Sequence, residues 1–302
     1  MSEQIWVCGE VLADLLPNLE GGDRTFVVGG GPANTAKALA RLGYDVEFID
    51  GMSTDHYGVA ARAELERDGV GLHHVVVSDK PTSQAIISLD STGSASYEFR
   101  VEGTATFDFS HSRLPIDKPA VLHIGSLATV IEPGASVLLE WASKISITSP
   151  IIFDPNVRPA ALPDIERYRN MVEKWIEISS VVKVSEEDIA LLYPRMSEED
   201  VARRWIAQGV TLVVITRGAD GLVAISQSDV VSVPGVLVSV VDTVGAGDTV
   251  GAIIVEGVVK YGLGRLVGEN LKSVLHRAAK AASITVARQG AQPPFADEIG
   301  TF

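Results

Sequence analysis

One glycine-rich heptapeptide carries the residues best suited to chemistry. Asp242-Thr243-Val244-Gly245-Ala246-Gly247-Asp248 leads directly into the apolar stretch 249–255, which predicts a buried helix. Glycines let the backbone approach a ligand closely, and the free amides of a first helical turn attract an anion. Asp248 adds a carboxylate that can accept the proton of an alcohol attacking a bound phosphate. The spacing favours a kinase for a small alcohol, although an aspartate that only caps the helix would give the same pattern.

Other phosphate-binding motifs are missing from the sequence. No G-x-x-x-x-G-K-[ST] segment occurs, which excludes a P-loop. Neither glycine cluster completes the G-x-G-x-x-G pattern of dinucleotide-binding folds. The phosphate site must therefore be of another kind.

Two segments resemble the signatures of the ribokinase-like (PfkB) carbohydrate kinases. Residues 242–248 are similar to the family's DTxGAGD motif, and Gly29-Gly30-Gly31-Pro32-Ala33-Asn34 resembles its GGxxxN sugar-binding loop. Both stand in the order and at the rough separation that the family shows. The resemblance implies ATP-dependent phosphorylation of a sugar, with Asp248 as the base. It also implies that the amides of Gly245, Ala246 and Gly247 form the anion hole.

Composition restricts the class of protein. A chain of 302 residues can hold one large α/β domain or two ordinary ones. Its net charge of −14 argues against nucleic acid and against an anionic membrane surface as partners. The single cysteine, the acidic start and the lack of a long apolar stretch fit a cytoplasmic protein.

Strand and helix patterns alternate along most of the chain. Several strands are continuous Val/Ile runs, which predicts a doubly wound, mostly parallel sheet with helices on both faces. The first strand pattern covers residues 5–16, and a hairpin around 91–93 interrupts the alternation. We predict one ribokinase-like α/β domain over 1–302 with a small β-sheet lid. The lid strands are expected within 10–28 and 80–108, and the resemblance implies that the lid excludes water.

The sugar side of the site is predicted from two polar residues. Asp14 lies in an apolar run, where an acid is costly unless it faces a polar partner. Asn34 offers a donor and acceptors to a polyol. Local alternatives are a solvent-facing lid position for Asp14 and a helix cap for Asn34. The resemblance assigns both to sugar binding, together with Gly30 and Gly31.

The segment Phe153-Asp154-Pro155-Asn156-Val157-Arg158-Pro159 follows a strand, where open α/β sheets bind ligands. It resembles the FDPNxRP segment of fructokinases and 2-keto-3-deoxygluconate kinases. Arg158 can fork onto a phosphate or a sugar acid, and we assign it to both the sugar and the transferred group. A structural turn fixed by two prolines is an equal alternative for Asp154 and Asn156.

The nucleotide side rests mainly on the resemblance. Segment 183–188 occupies the position of a family Asn-x-x-Glu motif that organises Mg²⁺ through water, but Ser185 replaces the Asn and Asp188 the Glu. A capped acidic helix start is the alternative. Segment 216–221 is first a hairpin turn, and the family places this loop beside the nucleotide phosphates. The implied ATP-binding residues are Lys183, Ser185, Thr216, Gly218, Gly221, Gly245 and Gly247.

Asp242 and Thr243 immediately precede the anion hole. Gln289-Gly290-Ala291 is similar to the second loop that shapes the ion site in K⁺-activated relatives. We therefore predict a monovalent cation, K⁺ first, at Asp242 and Thr243. The alternative is that Asp242 only fixes the turn through its own backbone hydrogen bonds.

The preferred substrate is inferred from a position at which this chain differs from ribokinases. Ribokinases carry a sugar-binding glutamate after the strand that matches 121–124, whereas this chain reads Gly125-Ser126. Fructose is the first choice, and 2-keto-3-deoxygluconate or another hexose derivative is second. A nucleoside kinase stays open. A non-catalytic, sugar-binding regulatory relative is favoured only by Ser185 and Asp188.

Lid-mediated dimers occur in the family, which leaves a homodimer open as well.

Overall fold

The structure is a computed structural model that describes residues 4–18, 21–89 and 95–301. Its strands form an eight-stranded sheet, a four-stranded sheet and a two-stranded sheet. In chain order they are β1 (Ile5–Cys8), β2 (Leu12–Leu16), β3 (Thr25–Gly29), β4 (Val46–Ile49), β5 (Gly51–Ser53), β6 (Val76–Ser78), β7 (Gln84–Leu89), β8 (Ala95–Arg100), β9 (Val121–Gly125), β10 (Ile151–Asp154), β11 (Val181–Ser185), β12 (Leu212–Thr216), β13 (Leu222–Ser226) and β14 (Val230–Val233).

The large sheet has the spatial order β14-β13-β12-β11-β10-β9-β1-β4. The strands from β12 to β4 run parallel, and β13 and β14 are antiparallel to their neighbours. The predicted mostly parallel sheet is therefore confirmed. The hairpin predicted around the turn after Thr216 is the β12–β13 pair, whereas β5, β6 and β14 are too short or too exposed to have been predicted.

Helices cover both faces of the large sheet and follow the strands along the chain. They are α1 (Gly31–Arg41), α2 (His56–Arg67), α3 (Gly134–Ile145), α4 (Ile165–Ile176), α5 (Glu186–Leu192), α6 (Glu198–Ala207), α7 (Ala246–Tyr261), α8 (Gly268–Val286) and α9 (Ala296–Ile299). One hydrophobic core lies under α3, α4 and α6, and the other under α1, α2, α7 and α8. This is a doubly wound α/β arrangement.

Strand β1 shows why both faces must be covered. Trp6 and Cys8 belong to the core under α3, while Ile5 and Val7 belong to the core under α1 and α7. Successive side chains of a strand point to opposite faces, so a continuous apolar run needs helices on each side.

The small sheet has the order β3-β2-β7-β8 and stands apart from the large one. β2 pairs antiparallel with β3 and parallel with β7, and β7 pairs antiparallel with β8. Its strands occupy the two segments predicted for a lid, except that β3 extends one residue further, to Gly29. The turn predicted at 91–93 lies outside the described residues.

The prediction of one strand over 5–16 was wrong. β1 ends at Cys8 in the large sheet, and β2 begins at Leu12 in the small sheet. Gly9 separates them with φ 147°, a conformation that favours glycine, and a Cβ there would lie 2.3 Å from Cγ of Pro32. Hydrophobic periodicity cannot show such a break because both halves are buried. Asp14 consequently belongs to the small sheet.

A buried carboxylate joins two of the chain passages between the body and the small sheet. Oδ2 of Asp50 accepts a hydrogen bond from the amide of Val11 at 3.0 Å, and Oδ1 accepts one from the amide of Gly51 at 2.7 Å. The hydroxyl of Thr106 lies 3.4 Å from Oδ2. Val11 stands just before β2, and Thr106 follows β8. The first passage of the chain into the small sheet and the segment that follows its last strand therefore meet at one side chain.

Of the helices that the structure describes, none is both long enough and apolar enough to cross a membrane.

Candidate active site

A cavity of about 450 Å³ lies where the carboxyl ends of β9, β10 and β11 meet the first turns of α1 and α7. Open α/β sheets bind their ligands at this edge. The small sheet closes the cavity from above with Leu12, Asp14, Ala85, Tyr97 and Phe99. The residues predicted for the sugar, the anion hole, the nucleotide or the cation that line it are Asp14, Gly30, Gly31, Asn34, Arg158, Lys183, Thr243, Gly245, Gly247 and Asp248.

The first turn of α7 presents free backbone donors to the cavity. Gly245 precedes the helix with φ 80°, and a Cβ there would lie 2.7 Å from Cβ of Ala291. The amide of Ala246 makes one long hydrogen bond, 3.4 Å, to the carbonyl of Thr243. Within the described ranges the amides of Gly245 and Gly247 donate none. These donors, at the positive end of a helix dipole, can bind a phosphate.

Asp248 lies beside these amides and is buried. Its Oδ2 accepts a hydrogen bond of 2.9 Å from Nδ2 of Asn34, and its side chain does not cap its own helix. The alternative of a mere helix cap is therefore not what the geometry shows. Burial raises the pKa of Asp248, while the Lys183 ammonium and the Asn34 amide act to lower it. A buried carboxylate of raised pKa is suited to accept a proton.

The glycine loop before α1 brings the sugar-binding residues next to Asp248. Gly30 has φ 109°, and a Cβ there would lie 2.4 Å from the carbonyl oxygen of Glu10. A Cβ on Gly31 would lie 2.5 Å from Nδ2 of Asn156 and 3.0 Å from Oδ1 of Asp248. Only glycine fits at these two positions without displacing a neighbour.

Asn34 is oriented by its contact with Asp248. The residue that precedes α1 is Gly30, so Asn34 is not the cap of that helix. Its Nδ2 is used by Asp248, and its Oδ1 is buried with no partner among the described residues. A buried acceptor without a partner is costly. Asn34 Oδ1 is therefore available to a hydroxyl that enters the cavity.

Asp14 reaches the cavity from β2 of the small sheet. Gly29 on the neighbouring β3 leaves room for it, since a Cβ on Gly29 would lie 2.1 Å from Oδ2 of Asp14. Burial raises the pKa of Asp14 to about 6, against the opposing effect of the Arg158 guanidinium. The solvent-facing alternative for Asp14 does not hold, because the side chain is largely buried.

The loop after β10 is held from two sides. Asp188 Oδ1 accepts a hydrogen bond of 3.0 Å from the amide of Val157, and the hydroxyl of Tyr168 accepts one of 3.2 Å from the amide of Arg158. Nη1 of Arg158 donates to the carbonyl of Val157 at 3.1 Å. The guanidinium stays exposed and lines the cavity, where it can reach an anion.

Ser185 and Asp188 have structural contacts. Ser185 caps α5 by accepting a hydrogen bond of 3.0 Å from the amide of Asp188, which is the capped helix start considered as an alternative. Asp188 does not line the cavity, and its carboxylate also has a side-chain hydrogen bond with Ser185. Carboxylate oxygens are donors of the kind that suits Mg²⁺ and its bound waters.

Lys183 lines the cavity from β11 as one half of a buried ion pair. Its Nζ lies 2.9 Å from Oδ2 of Asp154, and both side chains are almost fully buried. Burial acts to lower the pKa of Lys183, but the carboxylates of Asp154, Asp248 and Asp188 together raise it. The ammonium is therefore a permanent positive charge beneath α7.

Thr216, Gly218 and Gly221 do not line the cavity. Thr216 ends β12 beside Ser185, at the same edge of the sheet, and Gly218 and Gly221 have φ 49° and 98° in the β12–β13 hairpin. A Cβ on Gly221 would lie 2.2 Å from the carbonyl oxygen of Val233. Gly221 is required by the hairpin itself, whatever else the loop contacts.

Asp242 connects two loops beside the anion hole. Its Oδ1 accepts a hydrogen bond of 3.0 Å from the amide of Val244, and its Oδ2 accepts one of 2.9 Å from the amide of Gly290. The first bond is the turn-fixing contact considered as the alternative. The second reaches the loop that the sequence paired with Asp242, so the two segments are neighbours.

The comparison with family models decides what kind of protein has this site. The model described as "pfkB family carbohydrate kinase" matches residues 2–298. The chain belongs to the pfkB family of carbohydrate kinases. The resemblance noted in the sequence is thereby confirmed, as is the class of enzyme, a phosphotransferase that acts on a sugar.

Similar pfkB proteins are named fructokinases. The chain is 33% identical over 250 residues to the fructokinase of Rhizobium leguminosarum bv. trifolii, which covers 81% of this chain and 76% of the relative. It is 28% identical to the fructokinase of Escherichia coli, with 96% and 95% covered. Among solved structures, the fructokinase of Xylella fastidiosa with bound ATP has a TM-score of 0.89 at 25% identity, covering 99% of this chain and 97% of that one.

The cavity has lining residues that the sequence did not assign to the site, although Asn156 was considered there with a structural turn as an equal alternative. Ser126 and Asn156 both line the cavity with positive φ, 59° and 40°, which is rare for residues other than glycine and concentrates at functional sites. Glu10 is buried at the edge of the cavity and accepts a hydrogen bond of 3.2 Å from the amide of Ala128. An acid after a buried strand was the available signal for Glu10, whereas backbone angles leave no signal in sequence.

Proposed function

We propose that this chain transfers the γ-phosphate of ATP to a hydroxyl of fructose. The observation that carries the proposal is the shared cavity. It places Asp248 beside the free amides of Gly245 and Gly247 and in contact with Asn34, and Asp14 reaches the same cavity from the small sheet. The fructokinases among the relatives, and the ATP-bound fructokinase among the solved structures, support it.

The residues of the chain then have these roles. Asp14 and Asn34 accept hydrogen bonds from sugar hydroxyls, and Asp248 takes the proton of the attacking hydroxyl onto its carboxylate. The sugar oxygen forms a bond to the γ-phosphorus as the bond to the β–γ bridging oxygen breaks, and ADP leaves. The amides of Gly245, Ala246 and Gly247 bind the developing charge together with Arg158. The four-stranded small sheet acts as the lid of a single domain and excludes water.

The nucleotide is proposed to contact Lys183, Ser185, Thr216, Gly218 and Gly221 as well. Mg²⁺, when bound, neutralises charge on the β- and γ-phosphates. Among the described residues no three His, Cys, Asp or Glu side chains form a metal group. The ion would accordingly depend mainly on the phosphates, with Asp188 holding one of its waters.

The charges around the cavity favour a neutral sugar over a sugar acid. Glu10, Asp14 and Asp248 contribute carboxyl groups to the cavity. Two cations are among the described residues that line it, Lys183 and Arg158. Lys183 is bound to Asp154, whereas Arg158 is not paired with any buried acid that the structure describes. A carboxylate entering this surface meets like charges. This supports fructose over 2-keto-3-deoxygluconate.

The test is a panel of sugars and nucleosides assayed for ATP consumption. We expect fructose to give the highest kcat/KM, with 2-keto-3-deoxygluconate and nucleosides well below it. A higher value for 2-keto-3-deoxygluconate or for a nucleoside would replace the proposed substrate. Sugar binding without turnover of any compound would instead support the regulatory alternative. Ser185 and Asp188, the residues that favoured it, now have structural contacts.

Asp14 predicts a pH-dependent affinity for the sugar. Its carboxylate must be charged to accept hydroxyl hydrogen bonds strongly, and its pKa is about 6. KM for fructose should therefore rise as the pH falls through about 6, while KM for ATP should not follow. In Asp14→Ala, KM for fructose should be high at every pH. Equal effects on both substrates, measured by titrating each ligand separately, would indicate a merely structural position.

Activation by K⁺ is a further part of the proposal. Asp242 and Thr243 precede the anion hole, and the contact of Asp242 with Gly290 brings the second loop beside them. A Vibrio cholerae O395 fructokinase double mutant, 25% identical with a TM-score of 0.86 and covering 96% of this chain and 94% of that one, was solved with fructose, ADP and a potassium ion. A cation here would offset Asp242 and stiffen the amides.

Rates in choline, sodium and potassium chloride at matched ionic strength measure this effect. We expect the highest kcat in potassium chloride. Asp242→Asn should reduce the difference among the salts, because it removes the charge but keeps an oxygen that accepts from a backbone amide. Identical wild-type rates in all three salts would show that Asp242 only fixes the turn.

Two broader expectations complete the proposal. Val27 and Leu89 are exposed hydrophobic residues of the small sheet, which supports a homodimer through the lid, to be checked by light scattering.

Cys8 is buried and unpaired, as expected of a protein from a reducing compartment, and we place the enzyme in the cytoplasm.

A further inference from the structure

The Asp154–Lys183 ion pair occupies an unusual place under the catalytic residues. β10 and β11 pair in parallel with Phe153 opposite Val182, which sets Asp154 opposite Lys183 on the face of the sheet that α1 and α7 cover. Nζ to Oδ2 is 2.9 Å, and the side chains are 5% and 4% exposed. The pair is therefore removed from water at the floor of the cavity.

Stability does not explain such a pair well. Taking two charges out of water costs more than their attraction reliably returns, and well-packed apolar residues often replace buried pairs without loss. Asp154 is also only half satisfied, since its Oδ1 is buried with no partner among the described residues. A role in the reaction is a better account than a role in folding.

The ammonium lies directly against the first turn of α7. Nζ of Lys183 is 2.9 Å from the position that a Cβ would take at Gly247. Gly247 contributes a free amide to the anion hole, and the next residue is Asp248. Lys183 is therefore held at the backbone that carries both the phosphate donors and the base.

We propose that the Asp154–Lys183 pair is a positioning device for the base. Asp154 fixes the ammonium against the first turn of α7, and the ammonium holds the Asp248 carboxylate charged and in place to accept the sugar proton. The proposal rests on the proposed kinase function. It gives Lys183 a second task, in addition to the proposed contact with the nucleotide.

The other groups that face Asp248 cannot replace the positive charge of Lys183. Asn34 on α1 is neutral, Asp154 on β10 is a like charge, and Arg158 in the following loop is exposed, where water weakens its effect. Glu10 and Asp14 line the same cavity with further carboxyl groups. Without Lys183, a buried Asp248 would face mainly other acids. Its pKa would rise, and it would be protonated at a higher pH.

The experiment measures the single-turnover rate of fructose phosphorylation against pH. The base works when ionised, so the rate rises with pH through its pKa. Lys183→Met should move this acidic limb upward by ~1–3 pH units, the usual size of an opposite-charge effect at close range. The rate at saturating ATP should recover towards the wild-type value at high pH, and calorimetry measures separately any loss of ATP affinity caused by removing the nucleotide contact of Lys183.

A second variant covers the case that Lys183→Met fails to fold. Gly247→Ala keeps both charges but places a Cβ 2.9 Å from Nζ, which must shift the ammonium. Its matched control is Gly251→Ala in the same helix, where the nearest atom, Nε2 of His123, is at an ordinary 3.4 Å. We expect a shifted acidic limb for Gly247→Ala and a wild-type limb for Gly251→Ala.

An unshifted limb in Lys183→Met, or in Gly247→Ala if the former does not fold, would overturn the proposal. If ATP affinity fell at the same time, Lys183 would be a nucleotide ligand only. A wild-type protein that phosphorylates no compound of the panel would instead contradict the proposed function, so the two failures are distinguishable.

Discussion

Replacing Asp248 with asparagine is expected to lower kcat by ~10²–10⁴-fold, the usual loss when a general base is removed. The carboxamide has the same shape and can still accept the hydrogen bond that Asn34 donates to Oδ2. It cannot accept the proton of the attacking hydroxyl. The fold and the affinity for nucleotide should therefore be kept, while the chemical step is lost.

The measurement is single-turnover phosphorylation of fructose, with thermal unfolding and ATP titration on the same sample. Asp297→Asn is a matched control, since this aspartate is exposed on α9 and far along the chain from the cavity residues. It should behave as wild type. Wild-type turnover by Asp248→Asn would show that Asp248 is not the general base.

Gly31→Ala is expected to lower kcat/KM for fructose by ~10²-fold, because displacements of about 1 Å at reacting groups have effects of this size. The new Cβ would lie 2.5 Å from Nδ2 of Asn156 and 3.0 Å from Oδ1 of Asp248. Neither group can keep its position. Since φ of Gly31 is not positive, alanine should be tolerated by the backbone itself, and the loss should come from the site.

Gly264→Ala provides the control for a methyl group added to a glycine, as its Cβ would meet no atom within 4 Å. We expect wild-type kinetics and a similar melting temperature for it. If Gly31→Ala also kept wild-type kinetics, the sugar loop would not lie against the base as the structure places it. A large loss of melting temperature in Gly31→Ala alone would point to a structural role.

The sequence predicted the large sheet well because buried parallel strands need apolar side chains on both faces. It failed at residues 5–16, where β1 and β2 are both apolar yet belong to different sheets. What separates them is the conformation of Gly9 and its contact with Pro32, which depends on the folded chain. Periodicity reports burial and does not report which sheet a strand joins.

The site was predictable where a residue type is unusual for its surroundings. Asp14 in an apolar run and Asp248 after a glycine loop are such cases, and both line the cavity. Ser126 was not recognised as a site residue, and Asn156 was left open between a functional role and a structural turn, because their left-handed backbone leaves no trace in composition. Local patterns also left the roles of Ser185 and Asp188 open. Ser185 caps the start of α5, and Asp188 in its first turn anchors the loop after β10.

The hydrogen bonds of Asp50 bear on the measured affinity for sugars. Its carboxylate contacts the first passage of the chain into the small sheet and, through Thr106, the segment that follows the last strand of that sheet. Asp14 lies in the small sheet, while Asp248 lies in the body. Only molecules with the two sheets correctly oriented present a complete sugar site. The measured dissociation constant is then the intrinsic one divided by the competent fraction. A change at Asp50 that lowers this fraction would weaken every sugar by the same factor and leave the ranking of sugars unaltered.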